Sequence, residues 1–117
     1  SGQLPIKKDG SIIIGKIGQD LDLSEGKNAA LLCGINILAQ LNLACKNDLE
    51  IVKNCLKING YVNSANDFFD QPKIINPVSE LIVNTFGEKG KHARAAVSVN
   101  SLPLGASVEI DAMFEIN

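Results

Sequence analysis

The residue best suited to chemistry is Arg94, set among small neighbours in the run Gly90-Lys91-His92-Ala93-Arg94-Ala95-Ala96-Val97. A guanidinium is planar and always charged, and its fork of N–H groups matches a carboxylate with two parallel hydrogen bonds. Alanines on either side leave room for such an anion, so the run reads as the centre of a small-carboxylate site. Glu109 and Asp111 lie on the next β-prone segment. Either could instead form a cross-strand ion pair with Arg94 on an exposed sheet, and composition alone leaves both readings open.

The remaining candidates are weaker. Cys33, Cys45 and Cys55 form no CxxC pair, and with a single histidine at these spacings they do not read as a zinc set. An odd number of cysteines without a secretory leader reads as reduced, mostly buried thiols, with Cys33 in an apolar helical stretch. No metal and no cofactor is expected. His92 reads as a solvated strand-edge residue.

Charge excludes one class of partner. The net charge is −2, no basic cluster exceeds the pair Lys7-Lys8, and the aromatics are one tyrosine and four phenylalanines. Nucleic-acid binding draws on several phosphate-neutralising cations and on stacking platforms, and neither is supplied. A membrane span is also not expected. The longest apolar run, Ala29–Ala44, is interrupted by Gly34, Asn36, Gln40 and Asn42, short of the ~20 apolar residues a spanning helix needs. With no signal-peptide pattern at the start, the expected location is cytoplasmic.

A chain of 117 residues reads as one domain, 1–117. Ser1–Ile6 and Ser11–Ile17 flank Asp9-Gly10, which predicts a hairpin. Asp22-Leu23-Ser24-Glu25 predicts a capping box opening a helix to about Lys46. Leu31, Leu32, Ile35, Leu38, Ala39 and Leu43 would form its apolar stripe. Alternation over Val52–Val62 predicts a half-buried strand with Val52, Leu56, Ile58 and Val62 on one face. A second helix is predicted over Asp67–Phe86, with Pro77 kinking or restarting it and Gly87 closing it. Ala93–Val99 and Ser107–Ile116 both alternate, and the turn Ser101–Gly105 between them predicts an antiparallel hairpin. The order predicts an α+β fold, a mostly antiparallel sheet with both helices on one face. The helices should bury Val108, Ile110 and Phe114, which would leave Arg94 and Glu109 together on the helix-free face.

Several segments together resemble the YjgF/RidA family, whose members are reactive-intermediate imine deaminases often labelled endoribonuclease L-PSP. They are Ser1-Gly2-Gln3-Leu4-Pro5, Tyr61-Val62-Asn63, Ala93-Arg94-Ala95-Ala96-Val97, Leu102-Pro103 and Val108-Glu109-Ile110-Asp111-Ala112. The resemblance runs the length of the chain, except that the family's first strand is not matched. It implies a chorismate-mutase-like α+β fold assembling as a cytoplasmic homotrimer, with sites in the clefts between subunits. It further implies that Arg94 grips the carboxylate of a 2-imino acid and that Glu109 helps hold the hydrolytic water. Ser1 would line the pocket, and the backbone at Ala96 would meet the imine. The implied ligands are small 2-imino or 2-keto carboxylates, and the implied reaction is their hydrolysis to a 2-keto acid and ammonia. A non-catalytic trimer that binds small carboxylates, or a regulatory protein of the same fold, is the alternative. Ribonuclease is disfavoured by charge, and chorismate-mutase activity would need more cations than Arg94, Lys57 and Lys91 supply.

Overall fold

The computed structural model describes all residues, Ser1–Asn117, and its first helix, α1 (Leu23–Ala44), begins where the capping box places it. The Glu25 amide donates to Asp22 Oδ1 at 2.8 Å, and the Asp22 amide donates to Glu25 Oε1 at 3.3 Å. The buried face of α1 is not the predicted stripe. Gly26, Ala29, Ala30, Cys33, Gly34, Ile37 and Leu41 face inward, whereas Ile35 and Leu43 are 49% and 66% exposed. Small residues won that face because a second helix, α2 (Gln71–Phe86), lies hard against it. A Cβ on Gly26 would stand 2.6 Å from Ile74 Cδ1, and one on Gly34 would stand 3.2 Å from Val78 Cγ1. Larger aliphatics there would hold the helices apart.

The apolar spacing over the second predicted helix sets Ile74, Ile75, Val78, Leu81, Ile82 and Phe86 on one stripe; α2 buries Ile74, Ile75, Val78 and Ile82 completely, and Leu81 and Phe86 in part. It starts four residues after the predicted Asp67 and runs through Pro77 as one helix. The carbonyl that Pro77 cannot satisfy belongs to Lys73, on the exposed side where water replaces the missing donor. Gly87 ends the helix at φ +64°, a left-handed conformation that glycine adopts at no steric cost.

Three strands form a mixed sheet in the order β2-β1-β3, namely β2 (Ala93–Val99), β1 (Val52–Asn63) and β3 (Val108–Ile116). Both helices cover one face of it, as expected. β1 is parallel to β2 and antiparallel to β3. The expected hairpin between the last two strands therefore does not form, because β1 lies between them. Each alternating strand found a better partner in the central strand, whose Ile58 and Val62 are fully buried. Register irregularities at Val52/Asn54 and Cys55/Lys57 shift the alternation near the start of β1. That shift turns Cys55 inward in place of the predicted Leu56.

The N-terminal arms also depart from a hairpin. The Lys7 amide donates to Ser11 O at 2.8 Å across a turn with Gly10 at φ +86°, so the Asp-Gly turn is present. Its arms make isolated bridges instead of regular strands, Ile6 to Ile12, Gln3 to Ile110, Ile14 to Ala106 and Ile17 to Ser64. They serve as straps across the ends of the sheet.

The approach of α2 to the sheet is set at Gly60 in β1. A Cβ there would fall 2.5 Å from both Cγ1 and Cδ1 of the fully buried Ile75. Gly60→Ala should push α2 outward and destabilise the protein by about 1–3 kcal/mol, the usual cost of overpacking. The check is a lower denaturant midpoint at unchanged slope. An unchanged midpoint would mean that α2 shifts at no cost.

Candidate carboxylate site

Arg94 lies on β2, an edge strand, in register with Ile58 of β1. Because Ile58 faces the core, Arg94, Ala96 and Ser98 point to the helix side and Ala95, Val97 and Val99 to the open side. The expectation that Arg94 shares the helix-free face with Glu109 is thus corrected. The two alternating sets are as expected, but register with β1, in place of a hairpin with β3, decides which set faces the helices. α2 overhangs this edge only partly, so a half-buried arginine is tolerated there.

The guanidinium is anchored through one nitrogen. Arg94 Nη1 donates to Asn76 Oδ1 at 2.8 Å and to Ser79 Oγ at 3.3 Å. The chain's two ion pairs are Lys73–Asp70 and Lys91–Glu88, so Arg94 has no carboxylate partner and the cross-strand pair left open above is not made. Nη1 has two hydrogens, both engaged. The Nε and Nη2 hydrogens, the edge that grips a carboxylate side-on, have no acceptor within the chain.

Glu109 sits on the other side of the sheet. It is in register with Tyr61, on the helix-free face as expected. Its neighbour two residues on, Asp111, is committed, accepting from Asn59 Nδ2 at 2.9 Å and from the Tyr61 hydroxyl at 3.1 Å. Donation to Asp111 holds the Tyr61 hydroxyl above its ordinary range, with lesser contributions from burial and from the charges of Asp111 and Glu109. Glu109 itself receives no side-chain hydrogen bond, and Gly2 packs against its carboxylate, so that a side chain at position 2 would make Glu109 change rotamer. The Gln3 N–H donates to Ile110 O at 2.7 Å and the Ile110 N–H donates to Gln3 O at 3.0 Å, which holds Ser1-Gly2 beside β3. Ser1 is exposed, at the rim of a cavity of about 220 Å³ between α1 and β3 that Ile37, Leu41 and Phe114 line.

The four residues implied by the resemblance therefore fall into two groups. Arg94 and Ala96 lie on the β2 edge, with Ala96 packed beside Gly60. Glu109 and Ser1 lie along β3. Two strand spacings, about 10 Å, separate the groups laterally, and Arg94 and Glu109 point to opposite faces. One chain does not bring them onto one small ligand.

Sequence reasoning missed Asn76, Ser79 and the engagement of His92. His92 is half-buried, with Nδ1 2.6 Å from the Gly90 carbonyl and Nε2 2.9 Å from Ser79 Oγ, so it is not the solvated edge residue expected. The available signal was the pair Asn76 and Ser79, polar residues three apart on α2 beside its apolar stripe. Only the parallel crossover β1-α2-β2 shows that they face Arg94.

The fold and this arrangement place the chain in a known class. Residues 1–115 match the family model described as YjgF/chorismate mutase-like, putative endoribonuclease, and the chain belongs to that family. It is similar to the Agrobacterium tumefaciens protein Atu1372, of unknown function, at 47% identity and TM-score 0.96, covering 100% of this chain and 74% of that one. Protein TCP17 of Trypanosoma cruzi is 43% identical over 100% of this chain and 73% of its own length. A putative endoribonuclease from Shewanella oneidensis MR-1 is 31% identical with TM-score 0.93, over 99% of this chain and 76% of that one. Six further solved structures at 17–27% identity align at TM-scores of 0.57–0.65, so this chain follows the first two structures far more closely than it follows these six.

The cysteines behave as core groups. Cys33, Cys45 and Cys55 are all reduced and buried. Burial pushes the Cys33 thiol far up, with the Glu109 charge adding to it, while its S–H donates to Val108 O at 3.7 Å. Burial also pushes Cys55 up to about 11. Since the thiolate is the reactive form, the native protein at pH 8 should resist a thiol-specific reagent for minutes to hours. All three thiols should then react at once in guanidinium. Rapid labelling of Cys33 in the native state would contradict its placement under β3.

Proposed function

We propose that the protein is a hydrolase of 2-imino acids, acting in clefts between the subunits of a cytoplasmic homotrimer. The observation that carries this reading is Arg94, a cation without a counter-ion, anchored by Nη1 with its carboxylate-binding edge unoccupied. The imine carbon of a bound 2-imino acid would lie one bond beyond that carboxylate, over the β2 backbone at Ala96. Glu109 of a neighbouring copy, the one carboxylate of the pair Glu109/Asp111 without protein donors, would accept from a water and aim it at that carbon. Addition of water to C=N gives a carbinolamine, and its collapse releases ammonia and a 2-keto acid, one water being consumed. An imine is already electrophilic, so holding it against a positioned water supplies most of what the reaction needs.

The opposite facing of Arg94 and Glu109 in one chain supports a site shared between copies. So does the open sheet face, where Val97 and Met113 are 47% and 62% exposed. Turnover of RNA is not part of the proposal, since acidic residues outnumber basic ones by 13 to 11 and the basic residues are dispersed. No helix is long and apolar enough to cross a membrane.

The test generates 2-iminobutyrate in situ and follows its decay. Wild type should accelerate decay, and Arg94→Ala should lower kcat/KM by roughly a hundredfold, since misplacement of a bound substrate alone costs that much. Wild type that matches buffer would sink the deaminase reading, and Arg94-dependent retention of 2-ketobutyrate without turnover would favour a carboxylate-binding protein. Co-assembly of Arg94→Ala with Glu109→Gln tests the shared site. Random mixing of two inactive variants restores an intact Arg94–Glu109 cleft in about a quarter of sites, as expected for a head-to-tail ring. No recovery on mixing would place both residues in one subunit's site.

A further inference from the structure

The residues around Arg94 form a chain of hydrogen bonds, and with His92 neutral its directions follow from the donors and acceptors along it. Gly90 is buried, and a Cβ there would stand 2.5 Å from the Ile82 carbonyl oxygen and 2.9 Å from Val83 Cα. The end of α2 therefore fixes the position of Gly90. Its carbonyl can only accept, so His92 Nδ1, at 2.6 Å, carries the ring hydrogen. In the neutral ring Nε2 is then an acceptor, and Ser79 donates its single hydrogen to it across 2.9 Å. Having spent that hydrogen, Ser79 Oγ offers only lone pairs to its other neighbour, Arg94 Nη1, at 3.3 Å. Asn76 Oδ1 takes the second Nη1 hydrogen at 2.8 Å.

We infer that His92, acting through Ser79, is a positioning residue that orients the Arg94 guanidinium so that its Nε–Nη2 edge faces outward. A serine left to itself rotates its hydroxyl freely and can turn its hydrogen toward the guanidinium. His92 removes that choice by claiming the hydrogen, and the backbone at Gly90 in turn removes the tautomer choice from His92. Four residues thus convert a flexible arginine into a fork of fixed orientation, with the rigid backbone of α2 as the reference. Preorganisation of this kind lowers the ordering cost of binding a carboxylate.

This inference rests on Arg94 being the carboxylate clamp, but its primary test needs no ligand. The side-chain 15N–1H spectrum of Arg94, assigned by comparison with Arg94→Lys, should show hindered rotation in the wild type, with distinct Nη1 and Nη2 signals. Those signals should merge in His92→Ala and in Ser79→Ala. His92→Gln, which keeps an acceptor where Nε2 stood, should retain much of the separation. The Kd for 2-ketobutyrate should rise about three- to tenfold in the two alanine variants and less in His92→Gln. Backbone amide spectra away from α2 and β2 confirm the fold, and Ser79→Ala carries the test alone if His92→Ala does not fold. Wild-type-like Arg94 signals in a folded His92→Ala or Ser79→Ala would overturn the inference. A wild type that binds no 2-ketobutyrate while Arg94 is held would count against the clamp alone.

Discussion

Everything at the candidate carboxylate site depends on how closely the backbone of α2 can lie against its neighbours. At Gly60 the sheet gives up a side chain so that Ile75 can press onto β1, and at Gly26 and Gly34 the first helix does the same for Ile74 and Val78. At Gly90 the connecting segment returns to touch the helix backbone itself. These absences of side chain bring α2 near enough to the β2 edge for Asn76 and Ser79 to reach a side chain on the strand. Close packing of this kind transmits position with little slack, because interiors at crystal-like density do not deform continuously.

The two halves of the site follow from the sheet order. β1 in the middle forces β2 and β3 to opposite edges, and the two pairing senses fix which residues of each face the helices. A contact that joins one copy's Arg94 edge to another's Glu109 face uses two different surfaces. Such heterologous contacts close into rings or run on as filaments. The trimer proposed here is the closed case, and it would also cover the apolar residues of the open sheet face.

How far the sequence discloses this differs by residue. The capping box at Asp22 and Glu25, the stripe on α2 and the closing Gly87 are local, written within a turn or two of chain, and they are readable. The buried face of α1 is not, because Gly26, Ala30 and Gly34 are inside for their smallness, a property that matters only once the other helix is known. The alternation of β2 gives two sets of residues but not which set meets the helices, and that depends on the long-range choice of a parallel partner. Arg94 stands out in the sequence as a candidate anion ligand by its type and small neighbours. Its holders on α2 do not, since polar residues flanking a helix stripe ordinarily face water.

The difference between the two acids on β3 shows how structure sharpens such a reading. Glu109 and Asp111 stand two apart on one strand, face the same way and look interchangeable in sequence. Asp111 is nevertheless taken up by Asn59 and Tyr61, whose donors occupy its oxygens within the sheet. Glu109 has only a glycine beside it, so its oxygens remain available to a water. In the proposed reaction a held cation with an unoccupied fork and an unheld carboxylate would be complementary, one orienting an anionic substrate and the other the water that attacks it. Because each chain carries both but cannot apply them to the same molecule, activity of the kind proposed would belong to the assembly and not to the subunit.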